Sequence, residues 1–456
     1  MSKQREQFQL HNEKESEEAF DYENDTGRKR KVKKFLKNSS FNGALYIFAS
    51  KSWTKRILWG IVLLLSIGGF LAITIYDIVR LVREPTSTSI SLTRQDELKF
   101  PAVTICSLSL FNTATLRAQD TSNTCSNPNV DNLLSTVFSD TISKCEMAAR
   151  SLAACTGNYS WGELTEVARN ELSSIITGCD YAGKQCDITN EFQPVNTIAG
   201  RCYTFNKAEP VRTAQGTGVR RGLQLTLSPA QQPFSIGGDQ GFRIVIHNPD
   251  ELPRPESEGI VVGVNSAIYI GMKQVNSVDK TIFTSGHNCR KKTNINEELS
   301  FPGYNTTYSP STCQTECFLK YAARNCSCNE PKLYSPVSSE FRNLNKCTLP
   351  DICCLIHAFE DVGDRCDCPP RCDSVDYTFS VSSSSIPPPS GGGTTVRVNI
   401  YYESLLLETR ETMDAYTPWG LLTDIGGNTG LFLGFTLLSV VELLILVAEV
   451  SYCKRS

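Results

Sequence analysis

Two acidic residues, Asp424 and Glu442, bound the last apolar segment of the chain, and four glycines lie between them. The acids are 18 positions apart, which is five whole turns of an α-helix with about 3.6 residues per turn. On a continuous helix their shared face would also carry Asn428, Leu431, Phe435 and Ser439. Carboxylates at membrane depth are costly and usually face a protein interior or an aqueous path. The spacing therefore predicts a segment that lines a path for ions, rather than a plain hydrophobic anchor.

Two apolar segments are long enough to cross a bilayer as helices, which takes about 20 residues. The first transmembrane helix is predicted at residues 57–79, and the second, which contains both acids, at residues 419–450. The first segment follows more than 50 mostly polar residues. A cleaved signal peptide lies at the N-terminus and has a shorter apolar core, so this segment is predicted to remain as a membrane helix.

Basic residues set the predicted orientation in the membrane. Ten lysines and arginines lie between positions 28 and 56, and Lys454 and Arg455 follow the second segment. Because basic flanks stay in the cytoplasm, residues 1–56 and 451–456 are predicted to be cytoplasmic. Residues 80–418 are then predicted to be extracellular. The chain is expected to be a multi-pass protein of the plasma membrane, with the lipid bilayer as a partner.

The cysteines agree with an extracellular loop. Of the 19 cysteines, 18 lie between Cys106 and Cys372. An even set in an oxidising compartment predicts a disulfide framework. The Cys-x-Cys pairs at 326–328 and 366–368 suggest zinc as a rival reading, but the chain has four histidines. No metal or other cofactor is therefore expected. Asn158 and Asn305 begin glycosylation sequons that this topology would expose.

The loop alternates between strand and helix patterns, which predicts an α+β membrane protein. Runs of β-branched residues predict strands at 100–106, 224–227, 242–246 and 395–402. Helical patterning lies at 133–155, and the Ser, Pro and Gly run at 383–393 predicts a turn or loop. The net charge of −3 gives no case for a nucleic-acid partner.

Six motifs in order between the two spans resemble the degenerin/epithelial sodium channel superfamily, which includes acid-sensing and peptide-gated channels. They are FPAVTIC at 100–106, GRCYTFN at 200–206, GFRIVIH at 241–247, the cysteines from 313 to 328, CDCPPRC at 366–372 and the segment 426–442. The resemblance implies a trimeric channel with a β-sheet palm, a β-ball, a helical finger and a cysteine-rich thumb. The finger would take about 107–178 and the thumb about 289–372.

The resemblance also implies disulfide pairs. They are Cys106–Cys202, Cys179–Cys186, Cys289–Cys372, Cys313–Cys368 and Cys317–Cys366. Cys326 and Cys328 would pair with two of Cys347, Cys353 and Cys354. The partners of Cys125, Cys145, Cys155 and the remaining thumb cysteine stay open.

In the family the second span surrounds a three-fold axis, so three copies of Asp424 would form an outer acidic ring and three of Glu442 a deeper one. Rings of carboxylates attract cations. The selectivity filter would fall on Gly434, Phe435 and Thr436, where the family's helix breaks. Threonine replaces the family's serine at the third filter position. The cytoplasmic His-Gly pair of the family appears as Asn42-Gly43, so Gly43 is the expected pore-entry glycine.

The resemblance implies an amiloride-sensitive, sodium-preferring cation channel, as a homotrimer or a heterotrimer with related subunits. Protons or a peptide would open it, or it would be open without a stimulus. A proton sensor would need groups that titrate between about pH 5 and 7. The candidates are His247, His287, His357 and the acidic clusters at 250–251 and 256–258. His247 lies in a strand motif and is read as structural, and such acidic runs are typical of solvated surface. The alternatives are an ATP-gated two-span cation channel and a cysteine-rich two-span receptor. An ecto-nucleotidase is disfavoured because the glycines at 391–393 lack the P-loop lysine, so no enzyme is expected.

Overall fold

A computed structural model describes most of the chain after residue 51. The described residues are 52–109, 111–112, 137, 142–156, 159–197, 200–207, 210–229, 233–234, 239–255, 257–283, 289–290, 308–329, 343–362, 365–389, 392–434, 436, 438–439, 441 and 444–445. They divide into two compact units. One contains residues 52–87, 281–283 and 414–445, and the other contains residues 88–280 and 289–413.

Helices are present in both units. They are α1 (Trp53–Val82), α2 (Ile142–Thr156), α3 (Trp161–Val167), α4 (Leu172–Ile175), α5 (Ile188–Glu191), α6 (Pro310–Cys326), α7 (Ile352–Val362) and α8 (Pro418–Leu433).

The strands are β1 (Thr86–Arg94), β2 (Leu98–Lys99), β3 (Ala102–Ser107), β4 (Phe111–Asn112), β5 (Ile176–Tyr181), β6 (Lys184–Gln185), β7 (Phe192–Thr197), β8 (Gly200–Phe205), β9 (Thr213–Ala214), β10 (Leu223–Leu227), β11 (Pro233–Phe234), β12 (Gly241–His247), β13 (Ile260–Gly263), β14 (Ser266–Asp279), β15 (Asp373–Ser385), β16 (Val396–Tyr402) and β17 (Leu406–Asp414).

The first unit is built on α1 and α8. Helix α1 has 30 residues, which gives a length of about 45 Å. Among the described residues it is the one helix that is long and apolar enough to cross a membrane. The helix extends beyond the predicted span at both ends. It stops before Glu84, which has a φ of 49°, because the residue before a proline avoids the helical conformation and Pro85 follows.

Helix α8 begins one residue before the predicted second span. Pro418 occupies its first turn, where a missing N–H costs nothing, and the Thr417 side chain accepts a hydrogen bond from the Gly420 N–H. The helix has 16 residues, about 24 Å. It ends at Gly434, which has left-handed backbone angles.

The second unit contains a mixed sheet of eight strands in the order β1-β17-β14-β16-β10-β5-β6, with β15 paired to β14. Strand β14 is the longest and organises it, because it is antiparallel to β15 and parallel to both β16 and β17. A second sheet has the order β13-β12-β3-β8-β7. The strands predicted at 100–106, 224–227, 242–246 and 395–402 are confirmed as β3, β10, β12 and β16.

Buried side chains from both sheets form one apolar core. Phe100 lies at its centre with none of its surface exposed. Its ring makes edge-on contacts with Tyr181, Phe205 and Tyr402 at centroid distances of 5.1, 6.5 and 6.3 Å. Edge-on pairs of this kind add stability beyond the area they bury. The phenylalanine of the first sequence motif is therefore a packing residue.

Helices α2, α3, α6 and α7 share a second apolar core. The first two come from the region predicted as finger, and the last two come from the region predicted as thumb. Leu152 and Leu164 pack in the same cluster as Phe318 and Ile352. This shared core joins segments that are far apart in the sequence.

One local prediction is wrong at its start, residues 383–385, while the described residues 386–389 and 392–393 are neither helix nor strand, as predicted. The run from 383 was expected to be a turn or loop, but β15 continues to Ser385. Ser383, Ser384 and Ser385 pair with β14 residues down to Ser266. The backbone hydrogen bonds of a neighbouring strand have outweighed the weak strand preference of serine.

Candidate functional site

The end of α8 is the feature that carries most of the proposed chemistry. Gly434 has φ 67° and ψ 18°, and its N–H donates to the Gly430 carbonyl at 3.1 Å. Left-handed angles of this kind suit glycine, because a Cβ would meet the backbone. A helix that ends also leaves its last carbonyl groups without intrahelical donors. The break lies where the resemblance implies it, so the five-turn alignment of Asp424 with Glu442 on one helix does not apply.

Thr436 and Ser439 follow the break and bond to each other. The Thr436 N–H donates to Ser439 Oγ at 3.2 Å, and the Ser439 N–H donates to Thr436 Oγ1 at 3.3 Å. This reciprocal pair has the pattern of a capping box, which begins a helix, and residues 438–439 are helical again. The hydroxyl of Thr436 is thus engaged in restarting the helix. Phe435 and Glu442 lie outside the described residues.

Asp424 is held by a tyrosine that precedes α8 and contacts an arginine of α1. Its Oδ2 accepts a hydrogen bond from Tyr416 Oη at 2.7 Å. The guanidinium carbon of Arg80 lies 4.6 Å from the centre of the Tyr416 ring, a cation–π distance. The sequence identified Asp424 as a candidate but not Tyr416 or Arg80, because nothing in their spacing links them to it.

Asn428 lies one turn after Asp424 and bonds directly to α1. Its Nδ2 donates to Asp77 Oδ2 on α1 at 3.4 Å, and Asp77 is only 6% exposed. Sequence reasoning missed Asp77, although it falls within the predicted first span. The signal was available, since an ionisable residue at membrane depth is a functional candidate by default.

Several exposed positions of α8 carry small residues, although Trp419 and Leu422 of the same helix are exposed as well. Thr423, Gly426 and Gly427 are exposed, and a Cβ at either glycine would have nothing within 4 Å. Leu431, predicted to share a face with Asn428, is 79% exposed. Small residues allow close approach of another helix. The exposed surface of α8 therefore combines glycines with large apolar side chains, while Asp424 and Asn428 hydrogen-bond to neighbouring segments.

Most of the chain, residues 35–446, matches a family described as amiloride-sensitive sodium channel. The chain belongs to the amiloride-sensitive sodium channel family. Acid-sensing ion channel 4-B of Danio rerio is 26% identical over 429 residues, covering 88% of this chain and 72% of that protein. The bile acid-sensitive ion channel of Homo sapiens is 26% identical over 462 residues, covering 92% and 86%. Degenerin deg-1 of Caenorhabditis elegans is 26% identical over 324 residues, covering 64% and 41%.

The disulfides of this sodium channel family member stabilise its second unit. Five bonds among the described residues join the cysteines that the resemblance pairs: Cys106–Cys202, Cys179–Cys186, Cys289–Cys372, Cys313–Cys368 and Cys317–Cys366. Cys326 bonds to Cys354 and Cys328 to Cys347. These sulfurs are consumed in S–S bonds, which leaves the two Cys-x-Cys pairs without thiolates for a metal.

One further disulfide resolves part of the open pairing. Cys145 of α2 bonds to Cys353 of α7 across 208 positions, inside the apolar core that those helices share. Lys346 also forms an ion pair with Glu163 at 3.2 Å, close to the same helices. Cys125, Asn158, Asn305 and Gly43 lie outside the described residues, as does the side chain of Cys155.

The candidate proton-binding groups differ in their surroundings. His247 is 6% exposed, its Nδ1 donates to the Asn248 carbonyl, and its Nε2 lies 2.9 Å from Thr104 Oγ1. Burial lowers the pKa of His247 to about 4, so it is neutral and structural near pH 7. Burial raises the pKa of Glu251 to about 7, against the opposing effect of Arg371, whose Nη1 lies at 3.3 Å. Glu251 is thus the group that titrates near neutral pH.

Proposed function

We propose that this chain is a subunit of a sodium-preferring, amiloride-sensitive cation channel of the plasma membrane. The observation that carries the proposal is the end of α8, where an acid-bearing helix breaks at Gly434 in a chain of this family. A broken helix offers carbonyl oxygens to ions, provided that the backbone lines a water-filled path. Nothing in this function calls for an enzyme active site.

The proposed channel is a trimer with α8 around its axis. The first span would be α1 and the second would cover residues 419–450, with both termini in the cytoplasm and residues 80–418 outside. Three copies of Asp424 would form the outer acidic ring and three of Glu442 a deeper one. Each ring concentrates cations by its charge and repels anions.

Gly434, Phe435 and Thr436 would form the constriction. Glycine at the break exposes backbone carbonyls, and the paired hydroxyls of Thr436 and Ser439 support the restarted helix. A straight helix would instead point Phe435 close to the same face as Asp424 and obstruct the path. Gly43, in the cytoplasmic segment before α1, would border the inner end. Protons or a peptide would open the channel, or it would be open constitutively. Sodium would be the permeant ion.

The test is electrical recording from cells that express this chain alone. The expected result is a current that amiloride blocks and whose reversal potential follows the sodium gradient rather than the potassium gradient. Thr436→Ser restores the family's filter residue and is expected to shift the sodium-to-potassium permeability ratio. An ATP-dependent current, or an amiloride-insensitive one, would contradict the proposal. A surface-expressed chain without current, alone or with related subunits, would point to the receptor alternative.

A further inference from the structure

Arg80 places a positive charge beside the outer acid of the proposed pore. Its guanidinium stacks on the Tyr416 ring, and the hydroxyl of the same ring donates to Asp424. One tyrosine side chain therefore contacts both charges. Opposite charges on the two sides of one ring reduce each other's field on a passing ion. Arg80 and Asp424 together have a formal charge of zero, which weakens the acidic ring that the family resemblance implies.

Asp77 supplies a second carboxylate on the same helix as Arg80. The two are three positions apart, so they lie on adjacent positions of one helical face. The described partner of Asp77 is the neutral amide of Asn428, at 3.4 Å. An amide donor stabilises a carboxylate but does not cancel its charge. The cluster of Asp77, Arg80 and Asp424 therefore has a formal charge of −1.

We propose that Asp77 provides the net negative charge that draws cations into the outer part of the pore. This inference rests on the proposed channel function. In a trimer the three clusters would total −3 with Asp77 and zero without it. Asp77 lies at the level of Asn428, one turn inside Asp424 and about 9 Å before Gly434 along the helix axis. A negative charge at that depth raises the local cation concentration immediately before the constriction.

The distinguishing variant is Asp77→Asn, which retains the size of the side chain and its ability to hydrogen-bond with Asn428. It removes only the charge. The double variant Asp77→Asn with Asn428→Asp then restores one carboxylate to the same hydrogen-bonded pair of residues, now on α8. If the role of Asp77 were only to tie the helices together, all three proteins would conduct alike. Ile78→Ala, at an exposed neighbouring position of α1, is the matched control.

Single-channel conductance at two salt concentrations gives the first readout. Fixed charges act over about 30 Å at 0.01 M salt and about 3 Å at 1 M. Asp77→Asn is expected to lower the sodium conductance about two-fold or more at 0.01 M, with little change at 1 M. The double variant is expected to recover the loss, and the control to show none. Unchanged conductance of Asp77→Asn at low salt would overturn the proposal.

A second readout needs no current and so separates this proposal from the proposed function. Gly427→Cys adds a thiol on the open face of α8, next to Asn428, where a Cβ meets nothing within 4 Å. Cationic and anionic thiosulfonate reagents modify it at rates that report the local potential. Adding Asp77→Asn is expected to lower the cation-to-anion rate ratio about two-fold or more. An unchanged ratio would refute the role of Asp77 even if the chain conducted sodium.

Discussion

Replacing Gly434 tests whether the helix break forms the constriction. Alanine at this position would have to adopt left-handed angles, at a cost of about 1–2 kcal/mol. The same substitution favours a continuous helix by about 1 kcal/mol. The strain is local to the backbone, because no atom from elsewhere in the described structure lies within 4 Å of a Cβ at Gly434. Gly434→Ala therefore shifts the balance toward an unbroken helix by about 2–3 kcal/mol, or roughly 30- to 150-fold per subunit.

The assay compares the current and its reversal potential in sodium and potassium. Gly434→Ala is expected to reduce the current and move the permeability ratio, because an unbroken helix withdraws its carbonyls into its own hydrogen bonds. Gly434→Asn is the matched variant, since asparagine tolerates left-handed angles and is expected to retain more of the wild-type selectivity.

Gly60→Ala in α1 controls for the loss of a glycine from a helix, because it too has nothing within 4 Å and no left-handed backbone. It is expected to leave the permeability ratio unchanged. If Gly434→Ala behaved like Gly60→Ala, with normal current and selectivity, the break would not be the constriction and the filter assignment would fail.

Two predictions concern the second unit. The pKa of Glu251 is raised to about 7 by burial, so its protonated form stabilises the fold at low pH and that stability is lost as pH rises through about 7. Glu251→Gln removes this pH dependence. The melting temperature of Glu251→Gln minus that of wild type is therefore expected to increase between about pH 5 and 8. A difference that stays constant over this range would contradict the assignment. Replacing Cys145 and Cys353 by serine opens a loop of 208 positions and is expected to cost at most about 5 kcal/mol. The 7-position bridge Cys179–Cys186 is the control, at about 2 kcal/mol; an equal loss of thermal stability from both would argue against loop length as the cause.

Local patterns were sufficient to predict β3, β10, β12 and β16, but not β14, the strand that organises the larger sheet. The β-branched run that became β3 is buried at every position, and the alternation that became β10 matches its alternating burial. Family resemblance added five disulfide pairs that spacing could not have selected. Neither local patterns nor the family resemblance predicted the Cys145–Cys353 bond, because it depends on α2 packing against α7 across 208 positions.

Some residues of the candidate site could be identified from the sequence, and others only from the structure. Asp424 and Gly434 stood out because acids and glycines are unusual in an apolar segment. Asp77 and Arg80 did not, because their significance comes from Asn428 and Tyr416, more than 330 positions later in the chain. Hydrogen bonds between distant segments leave no periodic signal in either one.

The sequence by itself determined that the last apolar segment carries acids and glycines and that 18 of the 19 cysteines lie between the two apolar segments. The break at Gly434 was implied by the family resemblance and not by helical spacing. Only the tertiary structure decided which side of α8 meets α1. Helical periodicity groups residues into faces, but the partner of each face is set by packing. That packing placed Asn428 against Asp77 of α1 and Asp424 against Tyr416, and it left Gly426 and Gly427 exposed.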